Sequence, residues 1–147
     1  MVSNRYTTNV LHIKDTKLVR YTLVFLLFLI ALNAFAGGYY GMAGARNVPL
    51  DWLEGSPFKN YFVPALILFI LVGGCCLLGA IMVLMRHRLA AKAAMVSSIV
   101  ILVWIGVQLS IIGYVSWMQP AVAGTGIVIL ILSRSLSAQL SSLREIE

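Results

Sequence analysis

The sequence predicts an all-α membrane protein whose fold is a bundle of four transmembrane helices. Of the 147 residues, 61% are hydrophobic and 11% are charged, whereas soluble domains contain roughly 45–50% apolar and about 25% charged residues. The apolar residues gather in four stretches, Tyr21–Tyr40, Phe62–Met85, Ala93–Gly113 and Pro120–Leu136. Because roughly 20 apolar residues cross a bilayer as a helix, the first three stretches suffice comfortably and the fourth just suffices.

The basic residues predict the orientation of these helices. Four Lys and Arg residues precede the first stretch, three separate the second from the third and two follow the core of the fourth, which places nine of the 11 on one face. The positive-inside rule then puts both termini in the cytoplasm. These residues lie where anionic lipid headgroups are expected, so the net charge of +6 indicates contact with lipid and not with nucleic acid.

The chain divides into a cytoplasmic N-terminal arm (1–20), the four-helix transmembrane bundle (21–136) and a cytoplasmic tail (137–147). Ala34-Phe35-Ala36 before Gly37 imitates a signal-peptide cleavage site, but the apolar run exceeds a typical signal core. We predict that the first helix is retained; cleavage, which would leave three crossings, is the alternative. Cys75 and Cys76 point about 100° apart on a helix, which favours packing roles over a mutual disulfide.

Small and polar residues within the spans predict how the helices pack. Asn33, Gly37, Gly41 and Ala45 recur every four residues on the first helix, and such faces let helix backbones approach closely in lipid. Polar groups in the bilayer are costly unless they are satisfied. We therefore expect Asn33 and Gln108 to face the interior and to form an intramembrane polar clamp, with solute binding as the alternative role.

The loop between the first two helices contains a candidate interaction surface. Pro49 begins and Gly55 ends a short interfacial helix, on which Asp51 and Glu54 share one face. With the aromatic turn after the third helix, this loop is expected to contact a lipid headgroup or a partner protein; simple anchoring at the interface is the alternative. The candidate surface consists of Asp51, Trp52, Glu54, Phe58, Tyr114 and Trp117.

A sequence pattern at the same end of the helices resembles one that recurs in small bacterial membrane proteins. The pattern reads Pro49-Leu50-Asp51-Trp52-Leu53, Ser56-Pro57-Phe58, Tyr61 and Pro64, followed by Ile112-Gly113-Tyr114 and Gln119-Pro120. It resembles a family of four-helix integral membrane proteins of uncharacterised function. The resemblance covers all four helices and implies this fold and a location in the bacterial inner membrane. It implies no activity and no functional residue.

No catalytic, metal-binding or cofactor-binding motif stands out in the sequence. We predict a non-enzymatic multi-pass protein, a small subunit or accessory protein that contacts a partner or lipid through its outer turns. The alternative is an oligomeric small-solute transport or channel component; a membrane enzyme is disfavoured because no reactive group of residues is found. Beyond the lipid bilayer, the expected partners are another membrane protein or further copies of this chain.

The predicted orientation can be tested by labelling introduced cysteines in a variant that lacks Cys75 and Cys76. We expect Ser3→Cys and Ser142→Cys to be protected from an impermeant reagent added outside the cell, and Gly55→Cys to react. Reaction at both terminal sites would contradict the orientation. Intact mass of the purified chain tests retention of the first helix, because cleavage would remove residues 1–36.

Overall fold

The computed structural model describes the backbone of residues 3–144 and the side chains of residues 16–142. This part of the chain is helical, without strands. The long helices are α1 (Ser3–Met42), α2 (Phe62–Leu84), α3 (Ala90–Ile112) and α4 (Met118–Arg144). A 3-10 helix at Leu50–Leu53, the interfacial helix, lies in the loop between α1 and α2. The predicted four-helix fold with a short helix in the first loop is confirmed.

The four helices form a closed ring in which each helix packs against the next and α4 returns to α1. Consecutive helices are antiparallel. We call the end that contains loop 43–61 and turn 113–117 the aromatic end, and the opposite end, with turn 85–89, the basic end. Each long helix contains a segment long and apolar enough to cross a membrane, and only 22% to 33% of the most apolar part of each segment is buried. Most apolar side chains therefore face outward, as expected of a multi-pass membrane protein.

Two helices extend beyond the bundle boundaries that the sequence predicts. Helix α1 begins at Ser3, so that residues 3–20, expected as an arm, continue the first span. Helix α4 runs through residues 137–144 of the expected tail. Neither extension contains Gly or Pro, the residues that most often end a helix. In α1, Leu23 and Leu27 are completely buried, which makes this helix a part of the core.

Helix α1 ends earlier than the predicted small-residue face requires. Its last residue is Met42, and the chain then turns through Gly44 with a φ of 101°. Ala45 is buried but lies in this turn with a φ of 43°. It therefore does not extend the helical face of Gly37 and Gly41, which corrects that expectation.

Helix α2 is built from three segments with different helical geometry. Phe62–Ile67 is α-helical, Leu68–Gly73 is a π-helix, and Gly74–Leu84 returns to α-helix. The π segment packs against α1 through Phe35 and Phe69, whose ring centroids are 4.7 Å apart. Phe35 also covers Gly73, because a Cβ atom placed there would lie 2.6 Å from Phe35 Cε1. The absence of a side chain at Gly73 thus lets the ring sit against the α2 backbone.

Helices α1 and α2 approach most closely in their aromatic half. A Cβ atom on Gly41 would lie 2.5 Å from Ala65 Cβ, and one on Gly38 would lie 2.7 Å from Phe69 Cβ. The same atom on Gly37 would make ordinary contact, at 3.4 Å from Leu68 Cδ2. The close approach therefore runs along Gly38 and Gly41, and the predicted role of Gly37 in it is wrong.

Helices α2 and α3 are joined in their basic half. The hydroxyl of Ser97, which is buried, donates to the backbone oxygen of Cys75 at 2.8 Å and lies 3.0 Å from that of Ala93. Gly79 permits this contact, since a Cβ atom there would lie 2.7 Å from Ser97 Oγ. A hydrogen bond between helices adds stability where the hydrophobic effect does not operate.

Adding a single methyl group at the close approach should destabilise the bundle. We expect Gly38→Ala and Gly41→Ala to lower the free energy of unfolding by about 1–3 kcal/mol, because the backbones must separate. Gly74→Ala is the matched control: beyond the adjacent residues and backbone of its own helix, no atom lies within 4 Å of the added Cβ, and Ala is favoured over Gly in a helix by roughly 0.5–1 kcal/mol. Thermal unfolding in mild detergent measures all three. Equal melting temperatures for Gly41→Ala and Gly74→Ala would contradict the assignment.

Candidate functional site

An apolar cleft separates α2 from α3 in the aromatic half of the bundle. No Cα atom of Phe62–Ile67 lies within 8 Å of a Cα atom of α3, whereas Gly74–Leu84 packs directly on that helix. The two helices thus diverge, because α1 holds the aromatic half of α2. The resulting cleft has a volume of about 510 Å³. Its walls include Pro64, Leu71, Val103, Val107 and Ile111.

The interfacial helix and the residues after it close the cleft at the aromatic end. Leu53 is buried and Phe58 is half-buried, and both line the cleft. The interfacial helix also packs against α3. Leu71 on one wall is 48% exposed and Val103 on the other is 59% exposed, so the cleft opens on the outer apolar surface of the bundle.

A second, smaller cavity lies between the helices toward the aromatic end. Its volume is about 280 Å³, and it is lined by residues of all four long helices, of the turn between α3 and α4, and by Trp52 of the interfacial helix. Trp104 and Gln108 line both spaces, so one wall separates the cavity from the cleft. The cavity contains the polar side chains of Asn33, Gln108, Ser116 and Gln119.

Both members of the predicted polar clamp lie on the wall of this cavity. Asn33 belongs to α1 and is exposed, and Gln108 belongs to α3 and is half-buried. No direct hydrogen bond joins the two carboxamides among the hydrogen bonds of the described side chains. The clamp stays a prediction, and in this structure any link between them would need a bridging group in the cavity.

Gln119 makes the polar contacts that sequence reasoning did not assign. It is only 5% exposed, and its Oε1 accepts hydrogen bonds from the backbone nitrogens of Val115 at 2.9 Å and Ser116 at 3.4 Å. Its Nε2 donates to the backbone oxygen of Gly113 at 3.1 Å. Gln119 therefore holds the turn between α3 and α4. In the sequence, the indication of this role is the position of a carboxamide between an aromatic turn and an apolar helix.

The six residues of the candidate interaction surface divide into three groups. Trp52 lines the cavity and Phe58 lines the cleft. Tyr114 and Trp117 are 71% and 73% exposed. The carboxylates of Asp51 and Glu54 are exposed and have no hydrogen bond or ion pair with other described side chains. The structure therefore brings Trp52 and Phe58 to the two internal spaces and leaves the other four on the outside.

The Asp51 carboxylate acts electrostatically on the phenol of Tyr61 in the same loop. Tyr61, just before α2, donates its hydroxyl to the backbone oxygen of Pro49 at 2.6 Å. Burial, and then the Asp51 carboxylate, raise the pKa of the Tyr61 phenol. The phenol thus stays protonated as a donor and ties the interfacial helix to the start of α2.

In the described part of the chain, no group of three or more His, Cys, Asp or Glu side chains could hold a metal ion.

Removing the Gln119 carboxamide should loosen the turn between α3 and α4. We expect Gln119→Ala to lower the free energy of unfolding by about 1–3 kcal/mol, because buried backbone groups lose their partners. Gln108→Ala, at a carboxamide that makes no hydrogen bond with the described residues, is the matched control and should change stability much less. Thermal unfolding compares the two, and a larger effect at Gln108 would refute the assignment.

Comparisons with known proteins do not place the chain in a family. No model of a protein family matches the sequence, and no curated protein and no solved structure gives a significant match. The structure and its physical chemistry therefore carry the functional argument.

Proposed function

We propose that this protein is a non-enzymatic accessory protein of the bacterial inner membrane that binds the acyl chain of a phospholipid in the cleft between α2 and α3. The observation that carries the proposal is an apolar cleft of about 510 Å³ that is covered at the aromatic end and opens on the outer apolar surface of the bundle. Pockets for small molecules typically have volumes of roughly 300–1,000 Å³, so the cleft is large enough for a ligand.

The walls of the cleft select an apolar chain as the occupant. Pro64, Leu71, Val103 and Ile111 present hydrocarbon surface, which water hydrates unfavourably. A phospholipid of the surrounding leaflet reaches the open side without leaving the bilayer. Its acyl chain can fill the space beneath Leu53 and Phe58 while the headgroup remains near the interfacial helix.

The exposed residues of the aromatic end support its position at a membrane surface. Tyr114 and Trp117 project from the turn between α3 and α4, and aromatic side chains are enriched at bilayer interfaces. The exposed Asp51 and Glu54 do not line the cleft, and their carboxylates are available to a headgroup or a partner protein. The basic end, by the positive-inside rule, would then face the cytoplasm.

The basic half of the bundle favours this proposal over transport through a single chain. Its core contains the completely buried side chains of Leu27, Cys76 and Ile129. The buried hydroxyls of Ser97, Ser98 and Ser133 donate to backbone oxygens, so they do not line a water-filled path. The polar side chains of the cavity lie at the aromatic end only.

Quenching of Trp104 by brominated lipid tests the occupancy of the cleft. In a Trp52→Phe, Trp117→Phe background, Trp104 is the remaining tryptophan and lies on the cleft wall. We expect phospholipids brominated on the acyl chain to quench its fluorescence. Val103→Phe, which fills the cleft, should reduce the quenching because the chain can no longer enter.

Val96→Phe provides the matched control for this measurement. Val96 is 55% exposed on the same helix but lies in the basic half, outside the cleft. It should leave the quenching of Trp104 unchanged. Equal quenching in the parent protein and in both Phe variants would show that ordinary contact with the bilayer accounts for the signal, and the proposal would fail.

A further inference from the structure

Arg20 of α1 and Arg86, just after α2, lie near each other at the basic end of the bundle. Leu27 Cδ1 lies 3.5 Å from the position that a Cβ atom on Gly79 would take, which fixes the level at which the two antiparallel helices meet. Arg20 lies seven residues, or about two helical turns, from Leu27 toward the basic end. Arg86 lies seven residues from Gly79 in the same direction, just after α2. Arg86 acts electrostatically on Arg20, in agreement with this pairing.

Arg20 extends the buried face of α1. It precedes Leu23 by three residues, and Leu23 and Leu27 are completely buried. The Nη1 atom of Arg20 is out of contact with solvent and has no hydrogen-bond partner among the described residues. A charged donor in this position is costly unless an acceptor satisfies it.

No acidic side chain near this pair supplies the acceptor in the described part of the chain. Between residues 16 and 142 the acidic residues are Asp51 and Glu54, and both lie at the aromatic end. Two like charges at short range repel each other. Arg86 is exposed, whereas the buried Nη1 atom of Arg20 has neither a hydrogen-bond partner nor a counter-charge among the described residues. The pair therefore calls for an anion from outside these residues.

Helix α4 presents a second unpartnered polar group at the same end. Gln139 follows the completely buried Leu136 by three residues, on a helix that packs against α1. Its Oε1 atom is buried and accepts no hydrogen bond. The basic end thus carries unsatisfied donors on Arg20 and an unsatisfied acceptor on Gln139.

We propose that Arg20 and Arg86 bind the phosphate group of an anionic phospholipid at the basic end of the bundle. A guanidinium group matches phosphate oxygens with two parallel hydrogen bonds, and basic pockets between transmembrane helices are suited to such headgroups. A headgroup with a free hydroxyl, as in phosphatidylglycerol, also supplies the donor that Gln139 lacks. This site lies at the opposite end of the protein from the lipid-chain cleft and does not depend on it.

The test uses the full chain in bilayers of phosphatidylcholine, with and without phosphatidylglycerol. We expect phosphatidylglycerol to raise the melting temperature of the parent protein. For Arg20→Gln and Arg86→Gln the increase should be largely lost. Phosphatidylcholine also contains a phosphate group, but its choline ammonium neutralises it, so this lipid supplies no net counter-charge. In pure phosphatidylcholine, Arg20→Gln should therefore melt at or above the temperature of the parent protein, because the substitution removes an uncompensated charge. In the mixed bilayer it should melt below that temperature.

The effect of Arg20→Gln on the melting temperature should change sign between the two bilayers, which a merely structural arginine would not do. Lys92→Gln, at an exposed basic residue of the same end, is the matched control and should keep the increase of the parent protein. Adding inorganic phosphate to the protein in phosphatidylcholine bilayers distinguishes a lipid phosphate from a soluble one. If the melting temperature does not change, the result supports a lipid headgroup. If it rises as much as with phosphatidylglycerol, the site binds a soluble phosphate and the assignment to lipid is overturned. Equal losses for Arg20→Gln and Lys92→Gln, or no effect of phosphatidylglycerol, would refute the site.

Discussion

Close backbone contact between α1 and α2 determines where the other helices can lie. Hydrocarbon tails are as apolar as the helix surfaces, so packing and polar contacts must hold the helices together. Gly38 and Gly41 let Ala65 and Phe69 reach the α1 backbone, which draws the aromatic half of α2 toward α1. Helix α3 packs on Leu68–Leu84 of α2 but not on Phe62–Ile67, and Ser97 bonds to the α2 backbone in the basic half. The cleft is the geometric consequence of these two contacts at opposite ends of α2.

The polar groups of the bundle fall into two classes that correspond to structure and to binding. Ser97 and Gln119 donate to backbone oxygens of neighbouring segments, and these satisfied groups hold helices and turns in place. Arg20 and Gln139 at the basic end retain buried atoms without partners. Because unsatisfied polar groups are costly in a bilayer, the second class marks the positions where an external group would contribute most.

The sequence predicts the number and order of the helices well, because four long apolar stretches leave few other folds. The sequence predicts the closest contact less well. A Gly-x-x-x-Gly pattern identifies a face of small residues, but it does not indicate that Gly38 approaches α2 more closely than Gly37 does. The segment Leu68–Gly73 consists of apolar residues and one glycine, and this composition does not predict a π-helix. The cleft depends on both features and could not be foreseen. Asn33 and Gln108 both border the cavity, but Asn33 is exposed and no hydrogen bond joins the two side chains, so the polar clamp stays a prediction.

Nuclear Overhauser effects between methyl groups and backbone protons test the central contact most directly. Gly41 and Ala65 are in contact in the structure, while Ile111 lies on the α3 side of the cleft. In protein labelled at alanine and isoleucine methyl groups, we predict a strong effect between the Ala65 methyl and the Gly41 α protons, and none between the Ala65 and Ile111 methyls. A strong effect between Ala65 and Ile111, without one between Ala65 and Gly41, would show that α2 packs on α3 along its whole length and would contradict the account.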